Sequence, residues 1–227
     1  MTLHMDYPFS AELESFDEFA DLWVESDDIE WVWSNVITTE DGQMVGSSGT
    51  SADLTGGYDR RILRVLRSCA DIVLLGAQTV RSEPHAIPRD IPVAIVSRSS
   101  VPPEGAVERA EAGLIMITTD RNDSSDGDCE VVHIPLLSGD DIIHALREMG
   151  YRRILCEGGA DILSTLLASN MIDRWYQTIA PDVSGDSGVA CPIPESGAPL
   201  LEAHDDDGFV YGAVHIRNSH LVTVYES

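Results

Sequence analysis

The 227-residue chain contains no lysine; all 14 of its basic residues are arginine. That absence excludes lysine Schiff-base chemistry and the lysine of a Walker-type phosphate loop, whatever the fold. Positive charge is scarce altogether, since 39 acidic residues leave a net charge of −25. Nucleic acid and anionic membrane surfaces are therefore not expected as partners, because each needs a basic face. The plainest meaning of the surplus acid is solubility or tolerance of salt. Any anionic ligand must then meet a local arginine or a helix N-terminus. Cysteine is sparse (Cys69, Cys129, Cys156, Cys191) and never in a C-x-x-C pair, so no metal is expected. The seven histidines are scattered without ligand spacing, and neither G-x-S-x-G nor H-E-x-x-H occurs, which removes the commonest hydrolase signatures. No apolar run approaches the roughly 20 residues of a membrane helix. The first 28 residues are acidic and lack the apolar centre of a secretion signal. A reducing cytoplasm is the expected location.

What is present is an ordinary globular composition, 43% hydrophobic, and a length that fits one α/β domain. Residues 1–28 read as an acidic extension with a short helix over 10–25; residues 29–227 read as a single domain. Strands are expected at 30–38, 71–75, 91–97, 114–118, 131–134, 154–156 and 175–180, where short apolar runs end in turn residues. Helices are expected over 58–69, 140–149 (stopped by Gly150) and 161–168. Residues 209–216 and 221–225 read as a closing hairpin around Asn218. Short apolar strands alternating with helices imply a mainly parallel sheet covered on both faces, with an antiparallel edge from the hairpin.

Ligands of open parallel sheets bind beyond the carboxyl ends of the strands, and four segments at such ends have unusual composition. Ser34 to Gly57 is rich in glycine and serine, which lets backbone approach a ligand; spacing alone fits a hairpin and flexible loop equally well. Leu74-Leu75-Gly76-Ala77-Gln78-Thr79 offers a helix start to a phosphate, but lacks the full G-x-G-x-x-G spacing. Val96-Ser97-Arg98-Ser99 places an arginine between serines, fit to read a 2′-phosphate on an adenosine ribose or to be a surface arginine. Cys156-Glu157-Gly158-Gly159-Ala160-Asp161 runs strand, Gly-Gly, helix, which is the geometry of a phosphate cradle or of a tight packing turn.

Taken in order, these segments resemble the reductase domain of the bifunctional riboflavin deaminase-reductases, and the stand-alone actinobacterial pyrimidine reductases most. The resemblance rests on Asn35 through Asp41-Gly42, Ser51 through Arg61, Leu66-Arg67, Ala70 through Arg81, Cys156 through Gly159, and Met171 through Pro181. It implies a dihydrofolate-reductase-like α/β fold, NADPH as hydride donor, a small phosphorylated pyrimidine as substrate and often a homodimer. The implied reaction reduces the ribosyl group of 5-amino-6-(5-phosphoribosylamino)uracil to ribityl. Carried over by position, Thr38, Asp53, Thr79, Glu83 and Ser97 line the cofactor, while Gly158, Gly159, Ala160 and Asp161 cradle its diphosphate. Asn35, Ser51, Arg67 and Glu157 contact the substrate, with Arg67 a candidate for its phosphate. Arg98 as 2′-phosphate reader is an inference from charge. Glu157 and Asp41 are the candidate proton donors, besides water. The chain departs from the pattern where many bifunctional members carry a lysine and Asn35 stands, at Asp53, and over Glu83 to Arg89. The zinc-deaminase half is absent, so deamination is not expected. Reduction of a pterin, or a non-catalytic NADPH-binding homologue, remain the competing readings.

Overall fold

The computed structural model describes residues 30–56, 59–121, 129–181, 189–192, 198–204, 208 and 210–215. Nine strands are present among them: β1 (Trp31–Thr39), β2 (Ile72–Gly76), β3 (Val93–Val96), β4 (Leu114–Thr118), β5 (Glu130–His133), β6 (Arg153–Cys156), β7 (Arg174–Ala180), β8 (Ala198–His204) and β9 (Val210–His215). They form one sheet in the order β5-β4-β3-β2-β6-β1-β7-β9-β8. From β5 to β7 every pairing is parallel. Parallel neighbours cannot be joined by hairpins. The crossovers carry helices α1 (Asp59–Cys69), α2 (Ala77–Ser82), α3 (Ala106–Arg109), α4 (Gly139–Glu148) and α5 (Ala160–Ala168).

The buried run Ile72-Val73-Leu74-Leu75 shows why the central strands read as continuous apolar stretches. Successive strand residues point to opposite faces, and both faces are covered. Val73 and Leu75 join Ile95, Met116 and Leu155 under Ile62 and Leu66 of α1. Ile72 and Leu74 join Ala94, Ile117 and Ile154 under Ile142 and Leu146 of α4 and Leu163 and Leu166 of α5. Each such side chain contributes about 1.5–3 kcal/mol by burial. The helix ends follow local chemistry. The Ser138 hydroxyl accepts the Asp141 N–H at 3.2 Å to cap α4, and Gly150, at φ +95°, ends it.

The parallel sheet and its flanking helices agree with the sequence expectation. Of the expected closing hairpin, the arm at 209–216 contains β9, and the turn at Asn218 lies outside the described residues. Residues 221–225 lie outside the described residues, as do the helix at 10–25 and the extension at 1–28. The observed antiparallel pairings are those of β9 with β7 and with β8. β8 lies in a stretch rich in glycine and proline that gave no strand signal.

Candidate functional site

Strand order decides where the chemistry sits. β6 lies between β2 and β1, so the chain leaving β6 at Glu157-Gly158-Gly159 is flanked by the ends of both neighbours. A cleft of about 1570 Å³ opens there, walled by α1, by the loop that follows β1, and by the ends of β2, β3 and β6.

The floor is built from charge. Arg67, on the last turn of α1, donates through Nε to Glu157 Oε1 and through Nη2 to Glu157 Oε2, both at 2.6 Å, and its Nη2 also donates to the Ala86 carbonyl at 3.1 Å. The Glu157 side chain is 7% exposed and Arg67 22%. Burial pushes the Glu157 carboxyl up, and the Arg67 fork opposes that push. Burial also pulls the Arg67 guanidinium down, but the bonds and charge of Glu157 more than restore it. The result is a buried, two-pronged ion pair. Cys156 beside it is no nucleophile, since burial pushes its thiol up to about 12. Asn35, at 8% exposure, lines the cleft, and its Oδ1 has no hydrogen-bond partner among the described residues.

A second carboxyl lies in the same cleft. Asp59, the first residue of α1, is 5% exposed. Burial pushes its carboxyl up and the nearby charge of Glu157 adds to this, while the Thr178 hydroxyl on β7 and the Arg60 charge oppose it. Asp59 was given no role from the sequence. The available signal was its register: Asp59 falls on the buried stripe of α1 with Ile62, Leu66 and Cys69, an acid at helical spacing from apolar residues. The other face of that helix turns Arg60 and Arg64, both exposed, toward the cleft.

The opposite wall is bare backbone. Gly159 caps α5 with no side-chain hydrogen bond. The first bond of that helix runs from the Leu163 N–H to the Gly159 carbonyl at 3.1 Å. The N–H groups of Ala160, Asp161 and Ile162 precede it and have no intrahelical acceptor. A Cβ on Gly159 would lie 2.6 Å from Thr79 Oγ1, so the glycine is what allows the Thr79 hydroxyl to close on the helix start. Gly158, at φ +102°, turns its carbonyl to the Gly76 N–H at 2.8 Å, tying β2 to the same corner. Next along the rim, Ser97 Oγ accepts the Ser99 N–H at 3.1 Å, which positions the exposed Arg98 between them.

The structure brings together Asn35, Ser51, Arg67, Thr79, Glu83, Ser97, Arg98, Glu157, Gly159, Ala160 and Asp161 around one cleft. Ser51 and Glu83 meet each other there: the Ser51 N–H and hydroxyl donate to the two Glu83 oxygens at 2.7 and 2.6 Å. The other site residues expected from sequence do not line the cleft, and local reasons account for each. Thr38 is fully buried and accepts the Gln177 Nε2–H at 2.9 Å. Asp41 is exposed on the turn after β1, with Thr39 Oγ1 donating to it. Asp53 is exposed and accepts the Ser48 N–H at 2.7 Å, which, with the Ser48 and Ser47 side chains, holds its carboxyl below the ordinary range. Gly158 has its carbonyl taken by the Gly76 N–H.

Fold and cleft together define a dihydrofolate-reductase-like α/β protein. Among solved structures, dihydrofolate reductase from Enterococcus faecalis superposes with a TM-score of 0.51 at 12% identity, over 83% of this chain and 97% of that one. A pyrimidine reductase-like protein from Corynebacterium diphtheriae superposes with a TM-score of 0.66 at 19% identity, over 83% and 92%. The chain belongs to the RibD C-terminal domain family, whose model matches residues 30–204. Among curated relatives, the riboflavin biosynthesis protein RibD of Aquifex aeolicus is 29% identical over 161 residues, which is 65% of this chain and 45% of that protein. The chain thus spans less than half of that relative. The 2,5-diamino-6-ribosylamino-4(3H)-pyrimidinone 5′-phosphate reductase of Methanothermobacter thermautotrophicus is 28% identical over 187 residues, covering 68% of this chain and 79% of that protein.

Proposed function

We propose that this chain is an NADPH-dependent reductase that converts the ribosyl group of 5-amino-6-(5-phosphoribosylamino)uracil to ribityl. The observation that carries this reading is the convergence, on one cleft, of a bare helix start beside Thr79, a serine-flanked arginine, and a buried carboxylate-guanidinium pair. A dinucleotide needs the first two. The free N–H groups of Ala160 to Ile162 would hold its diphosphate, with Thr79 closing over them. Arg98, between Ser97 and Ser99, would read the 2′-phosphate that separates NADPH from NADH. The bound cofactor supplies the hydride; the chain's own residues supply orientation. Holding the reacting carbon in line contributes on the order of 7–11 kcal/mol.

The substrate side falls to the α1 wall. Arg67 has two of its nitrogens committed to Glu157 and Ala86, so its role is to position Glu157 against the sugar hydroxyls. The 5-phosphate is left to Arg64 and Arg60, one turn apart on the exposed face of α1. The free Oδ1 of Asn35 accepts a ring or amine N–H.

A second reading, reduction of a pterin, is favoured by one observation: a buried carboxyl, Asp59, poised in the cleft. The arginine face of α1 weighs against it, since a pterin brings no sugar phosphate. The test is NADPH oxidation by the purified protein with the phosphoribosylaminouracil and, in parallel, with dihydrofolate. Turnover of the former alone supports the first reading, and turnover of dihydrofolate alone replaces it. If neither turns over and NADPH neither binds nor raises the melting temperature, both readings are wrong.

A further inference from the structure

We propose that the Asp59 carboxyl is the proton donor of the reduction. The proposal rests on the reductase reading above and names the acid that it leaves unassigned. Reduction at the sugar needs one hydride and one proton. In the ring-opened imine, C1′ takes the hydride and its electron pair. The C–N π pair moves to nitrogen, where a new N–H bond forms. The proton for that bond must come from a group that is in the cleft, shielded from bulk water, and neutral before the step.

Four carboxyls line this cleft: Asp161 is exposed and Glu83 is half-buried and takes both Ser51 donors, which leaves Asp59 and Glu157 as the two buried ones. Arg67 grips Glu157 at 2.6 Å with both prongs. Glu157 therefore has a fixed, two-pronged counter-charge that opposes the upward push of burial and favours its carboxylate form. Asp59 faces the Thr178 hydroxyl from β7, the Glu157 charge from the end of β6, and Arg60 beside it on its own helix. Arg60 is exposed to solvent, where its charge is screened. With a negative neighbour on one side and 5% exposure, the Asp59 carboxyl is pushed toward its neutral form. Paired carboxyls whose surroundings drive their protonation apart divide the work between them: Glu157 stays charged and orients, and Asp59 donates. After the step Asp59 is a carboxylate, and water entering the open cleft returns its proton. Of the sequence alternatives, Asp41 does not line the cleft, and Glu157 is engaged on both oxygens by Arg67.

The experiment combines infrared titration with pH-rate profiles on the purified, full-length chain. In wild type, a protonated-carboxyl C=O band above about 1700 cm⁻¹ should persist at pH 7 and be absent from Asp59→Asn. The wild-type kcat should fall as pH rises through the Asp59 pKa, because the active form is the acid. Asp59→Asn should lower kcat by about 10²–10⁴-fold and abolish that alkaline limb. Its NADPH dissociation constant should stay within about threefold of wild type, which also shows that the variant is folded. A rise in KM with kcat and the alkaline limb preserved makes Asp59 a binding residue and overturns the proposal while leaving the reductase reading intact. Absence of the infrared band at pH 7 overturns it on the wild-type protein alone. Failure of wild type to oxidise NADPH with the phosphoribosylaminouracil removes the reductase reading and this proposal with it.

Discussion

Gly159→Ala tests the cofactor wall most directly, because the structure fixes what the added methyl meets. The new Cβ would stand 2.6 Å from Thr79 Oγ1, roughly 1 Å inside the 3.5–4.0 Å of an unstrained non-bonded contact. Thr79 is β-branched and sits within α2, so it has few rotamers into which to retreat. The clash resolves through an off-rotamer threonine or a shift of the α5 start, costing about 1–3 kcal/mol of stability. Either movement pulls a donor away from the diphosphate position. Loss of one hydrogen bond to a charged group is worth about 1.5–3 kcal/mol, which is a rise of about 10- to 150-fold in the NADPH dissociation constant. Fluorescence titration of NADPH and a thermal melt read the two effects separately. Adding Thr79→Ala removes the clash, so the double variant should regain most of the melting temperature but not the affinity. NADPH binding within twofold of wild type in Gly159→Ala would refute the placement of the diphosphate at this helix start.

Three further outcomes follow from the same geometry. Arg64→Ala should raise KM for the phosphorylated substrate at least tenfold more than for its dephosphorylated form. Arg67→Ala should lower kcat for both forms alike, since it frees Glu157; the reverse pattern in steady-state kinetics would return the phosphate to Arg67. Arg98→Ala should weaken NADPH by about tenfold or more and leave NADH nearly unchanged, and an unaltered NADPH-to-NADH ratio retires the 2′-phosphate assignment. At the other end of the sheet, burial opposes the Asp71 charge, but the Arg153 guanidinium and the N–H groups of Arg153 and Arg152 outweigh it and hold that carboxyl below its ordinary range. A depressed carboxylate stabilises the fold above its unfolded pKa of about 3.9 and loses that contribution as pH falls through the lower folded value. Asp71→Asn should therefore cost on the order of 1 kcal/mol near pH 7, kept small by solvent at this half-buried position. The gap between the two melting temperatures should close below about pH 4, and a gap that is constant down to pH 2 would contradict the sign.

Much of the architecture is written locally. Continuous apolar runs such as Ile72-Val73-Leu74-Leu75 announce strands buried on both faces, and Ser138 and Gly150 mark the ends of α4, because hydrophobic period and backbone chemistry act over a few residues. The Gly-Gly corner after β6 was legible for the same reason, since a bare helix start requires residues without side chains. β8 was not legible: it is a strand through its pairing with β9, and its sequence carries no strong preference of its own. The floor of the cleft was decided only in three dimensions. Glu157 and Arg67 are 90 residues apart in sequence, and nothing near either announces that the Arg67 fork will close on Glu157. Asp59 drew no role from the sequence, and packing against β7 placed it beside Thr178 and out of water. Asp41 and Asp53 carried equally suggestive sequence contexts and ended in solvent. Residue type and spacing set what each segment can form, whereas the charge state of a carboxyl depends on which distant chain the strand order sets against it and on how much water that contact excludes.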